Sequence, residues 1–130
     1  MPRRHTLHCA LALGLTLLGT GSAVAQTYPS RLVTLVVPFA AGGTVDKVAR
    51  QIQEPLATRL GQQVIVDNRG GAGGTIGMAL VAKSPPDGHT VALVFDSYAT
   101  EQHIYPRLPH VTARDFTGVS YVARSPMVLV

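Results

Sequence analysis

The stretch Leu32 to Arg50, LVTLVVPFAAGGTVDKVAR, joins two different periodicities through a pair of glycines. Leu32 to Val37 is a continuous apolar run broken only by Thr34, the pattern of a strand covered on both faces. After Gly42 and Gly43, the positions Val45, Val48, Ala49, Ile52, Leu56 and Leu60 follow a helical spacing and form one stripe that faces a sheet. Thr44 stands where an N-cap is expected, and Asp46 falls in the first turn, where the helix dipole favours a carboxylate. Pro55 lacks a backbone donor and is expected to kink this helix, and Gly61 to end it. Glycines between strand and helix permit a tight turn and aim the first unpaired N–H groups of the helix above the sheet edge.

The same grammar repeats downstream. A second strand, Val64 to Asp67, leads through Asn68-Arg69-Gly70-Gly71-Ala72-Gly73-Gly74-Thr75 into a helical stretch from Ile76 to about Lys83. Ser84-Pro85-Pro86-Asp87-Gly88 is a turn by its own chemistry. A third strand, Thr90 to Phe95, runs into Asp96-Ser97-Tyr98-Ala99-Thr100 and a short helix ending before Pro106. A fourth strand is predicted over Gly118 to Ala123, and Met127 to Val130 reads as the start of another. The fold class is therefore α/β: a right-handed, parallel βαβαβ sheet flanked by helices. All three loops, PFAAGGT, NRGGAGGT and DSYAT, then leave the carboxyl ends of strands, the edge at which open α/β sheets bind ligands.

Composition narrows the function. Arg3 and Arg4 precede an apolar segment, Ala10 to Leu18, and the small-residue stretch Ala23-Val24-Ala25 has the form cleaved by signal peptidase, so residues 1–25 read as a secretory signal with cleavage before Gln26. The apolar core is too short for a permanent membrane span, so no membrane insertion is expected after cleavage. The only cysteine, Cys9, leaves with the leader, and the mature chain is expected to hold no disulfide, thiolate metal site or cysteine nucleophile. Losing Arg3 and Arg4 lowers the formal charge from +4 to +2, spread without a basic run, which gives no nucleic-acid footprint. With 5% aromatic residues and no tryptophan, the interior is expected to be aliphatic.

For either glycine loop alone, turn geometry explains the sequence as well as a ligand does. Two such loops on one edge, each feeding a helix N-terminus, favour an anion site. One reading of that site is a dinucleotide-binding oxidoreductase: Gly71, Gly73 and Gly77 space as G-x-G-x-x-x-G after a strand, and Asp96 ends the next strand where a ribose-binding carboxylate would sit. The spacing departs from the stricter G-x-G-x-x-G, and a secretory leader sends the chain away from free dinucleotides.

The other reading is a resemblance. The phrases VVPFAAGGTVDKVAR, LGQQVIVDNRGGAGGTIG, VAKSPPDGHT and IYPRLPH followed by DFTGVSYVAR, in this order from about Tyr28 onward, resemble the Bug-type periplasmic solute-binding receptors of tripartite tricarboxylate transport systems. The resemblance implies a two-domain, type II periplasmic-binding-protein-like fold. Residues 26–130 would be an incomplete N-terminal ligand-binding domain, truncated, with the second domain absent. It further implies a small organic acid as ligand, membrane transporter components as partners, a periplasmic location, no cofactor and no catalysis. The first ligand loop would be Phe39, Ala40, Ala41, Gly42, Gly43 and Thr44, and the second Gly71, Ala72, Gly73, Gly74 and Thr75, both giving backbone N–H groups to a carboxylate. Asp96, Ser97, Tyr98 and Ala99 match the third loop loosely. Ala40 and Ala41 stand where the family commonly has prolines.

Catalytic alternatives are thin. His89, His103 and His110 are too dispersed for a metal site and read as turn or surface residues. Ser97 beside Asp96 has no histidine placed by any recognisable motif. Arg69 is read as solvated or paired with Asp67, and Asp46 as a helix-capping residue rather than a ligand for an amine.

Overall fold

The computed structural model describes residues 27–124, so the leader and the strand predicted to begin at Met127 lie outside the described residues. β1 (Val33–Val37) is the middle strand of a three-stranded sheet, flanked by β2 (Val64–Asn68) and β3 (Thr90–Ala92). Both pairings are parallel, with Val37 opposite Asn68 and Val36 opposite Ala92. The carboxyl ends of all three strands therefore share one edge.

Central position explains the apolar run in β1. Val33, Leu35 and Val37 cluster with Val64 and Ala49, and Val45, Ile52, Leu56 and Leu60 pack around them. These last residues and Ala49 belong to α1 (Thr44–Leu60), which thus covers one face of the sheet. Side chains alternate along a strand, so fully buried Val36 faces the other side, which α2 (Thr75–Ala82) covers with buried Met78. A right-handed crossover from β1 to β2, then one from β2 back past β1 to β3, requires helices on opposite faces. The order β2-β1-β3 also makes β1 and β3 the point where connections diverge, the place outside whose carboxyl ends open α/β sheets bind ligands.

Several boundaries differ from expectation. Gly43, not Thr44, is the N-cap of α1, and no side chain caps it directly. Asp46, in the first turn, accepts instead from the Gly42 N–H at 2.7 Å, ahead of the helix, and so fixes the entry of the chain while no side chain caps the first-turn N–H groups. α1 runs uninterrupted through Pro55 and ends at Gly61, which adopts the left-handed conformation at φ 65°. β3 is shorter than the predicted Thr90 to Phe95, although one ladder-like bond continues it, from the Leu93 N–H to the Val36 carbonyl at 2.9 Å. The fourth strand predicted over Gly118 to Ala123 does not form. Val119 and Tyr121 are 85% and 79% exposed, so the apolar spacing of that segment meets no strand or helix face among the described residues.

After β3, α3 (Ser97–Ile104) is followed by a strap, residues 105–116, that folds back on it. The Tyr98 hydroxyl donates to the Thr112 carbonyl at 2.9 Å, and the Phe116 ring meets both Tyr98 and His110 edge-on. Beneath them His110 Nε2 lies 2.7 Å from Glu101 Oε1, and both side chains are buried. His89 is also buried, with the Ser30 N–H donating to its Nε2 at 3.2 Å and its Nδ1 3.1 Å from the Asp87 carbonyl. The surface reading of His89 and His110 is thus corrected: each is packed inside by a specific partner, while His103 is exposed.

Candidate functional site

The two glycine loops rest on each other backbone to backbone. A Cβ added to Gly70 would lie 3.3 Å from the Ala40 nitrogen and the Phe39 carbonyl carbon, and one on Gly74 would lie 3.3 Å from the Pro38 oxygen. A Cβ on Gly77 would lie 2.7 Å from the Arg69 oxygen and 2.9 Å from the Pro38 Cβ, so α2 starts in direct contact with the end of β1. Side chains at these positions would push the loops apart. Close approach is what much of the glycine content holds.

A polar knot fixes the first loop. Asp46, only 2% exposed, accepts from the Gly42 N–H, from Arg50 Nε at 3.0 Å and from Asn68 Nδ2 at 3.0 Å. Asn68 Nδ2 also lies 3.4 Å from the Phe39 carbonyl, and its Oδ1 accepts from an Arg50 nitrogen at 3.3 Å. The Arg50 guanidinium, then the Gly42 N–H and the Asn68 amide, hold the Asp46 carboxyl down at about 2. One acid therefore ties the first loop, the first helix and the end of β2 together. Sequence reasoning placed Asp46 in the cap but missed Asn68, whose only local signal was its position at a strand end.

These contacts sort the backbone donors. The Gly42 N–H bonds to Asp46 and the Gly43 N–H to the Ala40 carbonyl at 3.3 Å. In the second loop the Gly74 N–H bonds to Gly71 and the Thr75 N–H to Ala72, whose carbonyl also accepts from the Thr75 hydroxyl at 3.0 Å. The N–H groups of Ala41, Thr44 and Val45 on the first loop, and of Ala72 and Gly73 on the second, have no acceptor among the described residues. At the third loop the Ala99 N–H bonds to Asp96, and the Tyr98 N–H bonds to Phe95. Asp96 is exposed at the N-cap of α3 without a side-chain cap, followed by Ser97, the first residue of that helix. The Tyr98 side chain turns into the strap, where burial and then the Glu101 charge raise its pKa.

Arg69 takes the structural partner expected of it. Arg69 Nε donates to both Asp67 carboxylate oxygens, at 3.0 and 2.9 Å. At Gly73 the backbone is left-handed, φ 67°, and the space a Cβ would occupy is filled by the Tyr105 hydroxyl. Gly43, by contrast, has an ordinary φ of −70°, so the positive φ of the first loop sits at Gly42, φ 82°.

Elsewhere, a shallow indentation of about 330 Å³ is lined by Thr27, Tyr28, Ser30, Arg31, Asp87 and His89. It lies at the amino ends of β1 and β3, and its polar groups bind one another: Arg31 meets Asp87 at 2.8 Å and the Tyr28 hydroxyl donates to the Gly88 carbonyl at 2.8 Å. Satisfied in this way, it ties down the chain before β1. Among the described residues no cluster of three metal-ligating side chains occurs, and no helix is long and apolar enough to cross a membrane.

The family model described as "Tripartite tricarboxylate transporter family receptor" matches residues 48–130. The chain is 44% identical over 128 residues to the UPF0065 protein in the tcbD-tcbE intergenic region of a Pseudomonas species, covering 98% of this chain and 38% of that protein. It is 43% identical over 108 residues to protein BugT of Bordetella pertussis, covering 82% of this chain and 33% of BugT. Among solved structures, MatC from Rhodopseudomonas palustris with bound malate superposes with a TM-score of 0.67 at 41% identity, over 73% of this chain and 33% of MatC. The chain thus spans about a third of the length of these relatives. With the matched profile covering most of the sequence and the parallel sheet in common, the chain belongs to the tripartite tricarboxylate transporter receptor family.

Proposed function

We propose that this chain forms one wall of a carboxylate-binding cleft in a periplasmic solute receptor that hands a small organic acid to a membrane transporter. The observation that carries the reading is the pairing of two helix N-termini, packed backbone to backbone, whose Ala41, Thr44, Val45, Ala72 and Gly73 N–H groups have no acceptor among the described residues. A carboxylate between them gains from oriented dipoles and unpaired donors without a cation or metal. Malate bound to MatC, a relative of the same fold, supports an acid as the class of ligand. The leader-like residues 1–25 support export, and family membership supports a receptor in place of an enzyme. In this reading residues 26–130 are part of the first domain, and the Asp96 to Ala99 loop borders the cleft beside the two glycine loops.

One wall buries a small ligand incompletely, so the chain alone should bind acids weakly, in the millimolar range. Nuclear magnetic resonance of the ¹⁵N-labelled exported chain, titrated with malate, tests this. Shifts should concentrate on the amides of Ala41, Thr44, Val45, Ala72 and Gly73. Shifts confined to Arg31, Asp87 and His89, or none at all, would remove the reading.

A further inference from the structure

We infer that Tyr105 donates its hydroxyl to the anion at the second glycine loop, an inference that rests on the carboxylate-receptor reading above. The tyrosine comes from outside all three loops, yet its ring edge lies on Gly73. A Cβ built there would sit 3.0 Å from Cζ and 3.1 Å from Cε2 and would collide with the hydroxyl oxygen itself. A side chain at this position would push the phenol away, and the positive φ of Gly73 favours a glycine as well. The hydroxyl is thereby delivered to the loop whose Ala72 and Gly73 N–H groups have no acceptor among the described residues.

The hydroxyl is itself uncommitted. The Tyr28 hydroxyl donates to Gly88 and that of Tyr98 to Thr112, whereas the Tyr105 hydroxyl has no hydrogen-bond partner among the described residues. Its position is nevertheless held from behind. The Tyr105 N–H closes the last turn of α3 on the Glu101 carbonyl at 2.8 Å. The Glu101 side chain in turn is buried against His110 Nε2 and accepts from the Thr112 hydroxyl at 3.2 Å. The buried pair pins both the residue that caps Tyr105 and the strap that follows it.

A group placed in this way suits an acceptor-only ligand. A carboxylate whose one oxygen takes N–H bonds from Ala72 and Gly73 keeps the lone pairs of its other oxygen, and a hydrogen bond from an O–H to an ionised acceptor is about twice as strong as a neutral one. A phenol also loses little freedom on binding, because its ring is already seated. Tyr105 would act as a binding residue for the acid, reinforcing the backbone donors rather than replacing them.

The test is the malate titration of the ¹⁵N-labelled exported chain, run in parallel on Tyr105→Phe and on Tyr28→Phe, the latter at the opposite end of the sheet. The amide spectrum reports in the same tube that each variant is folded. Tyr105→Phe should weaken binding about five- to tenfold while Tyr28→Phe leaves it unchanged. Unchanged binding in Tyr105→Phe overturns the inference and leaves the receptor reading standing. Tighter binding in Tyr105→Phe overturns it as well, because the hydroxyl would then be blocking the loop. If malate shifts no amide of the loops in the unaltered chain, the receptor reading fails and this inference falls with it.

Discussion

Gly77 is pressed against Pro38 so closely that a Cβ on the glycine would stand 2.9 Å from the proline Cβ and 3.0 Å from its Cα. The contact joins the second turn-to-helix junction to the end of the central strand, and it sets how near the two loops come. Spacing alone had offered Gly77 as the third glycine of a dinucleotide loop. Its surroundings show the close packing of a helix on a strand end, the task such a glycine also performs in a dinucleotide loop, so this contact favours neither reading.

Gly77→Ala should accordingly destabilise the fold by roughly 1–3 kcal/mol, the usual cost of forcing a methyl into a filled site. Ala is the better helix former, so propensity predicts the opposite sign and the experiment discriminates between them. Urea unfolding followed by circular dichroism measures it, and an unchanged or raised midpoint would show that the helix moves aside freely.

Acid should loosen the first loop. The Asp46 carboxyl titrates at about 2 in the folded chain against an ordinary value of 3.8, because Arg50, the Gly42 N–H and Asn68 all favour its ionised form. A depressed folded pKa means stability that is fully present above about pH 4 and is lost as pH falls toward 2. Asp87, held at about 2 by the His89 N–H and then by Arg31, acts in the same window at the other end of the sheet. Asp46→Asn should lower the melting temperature at pH 7 and flatten its decline between pH 4 and pH 2, with the Asp87 contribution remaining. An equally steep decline in the variant would show that the Asp46 knot contributes nothing to acid sensitivity.

Much of the fold was legible in the residues because it is written in local periodicity. The LVTLVV run, apolar but for Thr34, announces a strand buried on two faces, and the α1 stripe from Val45 to Leu60 announces its cover. What was not legible depends on contacts between residues far apart in the chain. Asn68 reaches Asp46 and Tyr105 reaches Gly73 only after the crossovers have closed, and neither residue has a local pattern that marks it. The same holds for the buried histidines: a lone His110 looks like any exposed one until Glu101 is seen beside it. At Gly118 to Ala123 the error ran the other way: the composition is strand-like, but the segment pairs with no strand among the described residues and leaves Val119 and Tyr121 exposed.

The buried Glu101 and His110 pair should be a point of weakness when halved. Glu101→Ala leaves a buried imidazole with neither nitrogen partnered, because His110 Nδ1 already lacks a hydrogen bond. Leaving a buried polar group without its partner costs roughly 1–3 kcal/mol. The strap should then detach first, which hydrogen exchange would register as lost protection at Tyr105 and Asp115 with the Val33 to Val37 amides still protected. Global unfolding in place of this local release would mean that strap and sheet form one cooperative unit.

The glycines of the two loops should differ in their response to a side chain, and the difference separates a ligand role from turn geometry. Gly43 has an ordinary φ of −70° and only the Ala40 oxygen near its Cβ position, at 3.2 Å, so Gly43→Ala should fold with little loss. Gly73 has a φ of 67° and Tyr105 upon it, so Gly73→Val must both strain the backbone and displace the phenol. A residue with a Cβ in the left-handed region costs on the order of 1–2 kcal/mol, which the sheet can absorb because Gly73 lies outside it. Acid binding should fall far more in Gly73→Val than in Gly43→Ala, read as loss of malate-induced shifts at Ala72 and at the residue substituted for Gly73. NAD titrated against the same chain should leave these amides unmoved. Preference for NAD over malate would restore the dinucleotide reading, with Asp96 as its ribose contact, and undiminished malate binding in Gly73→Val would reduce the second glycine loop to a turn.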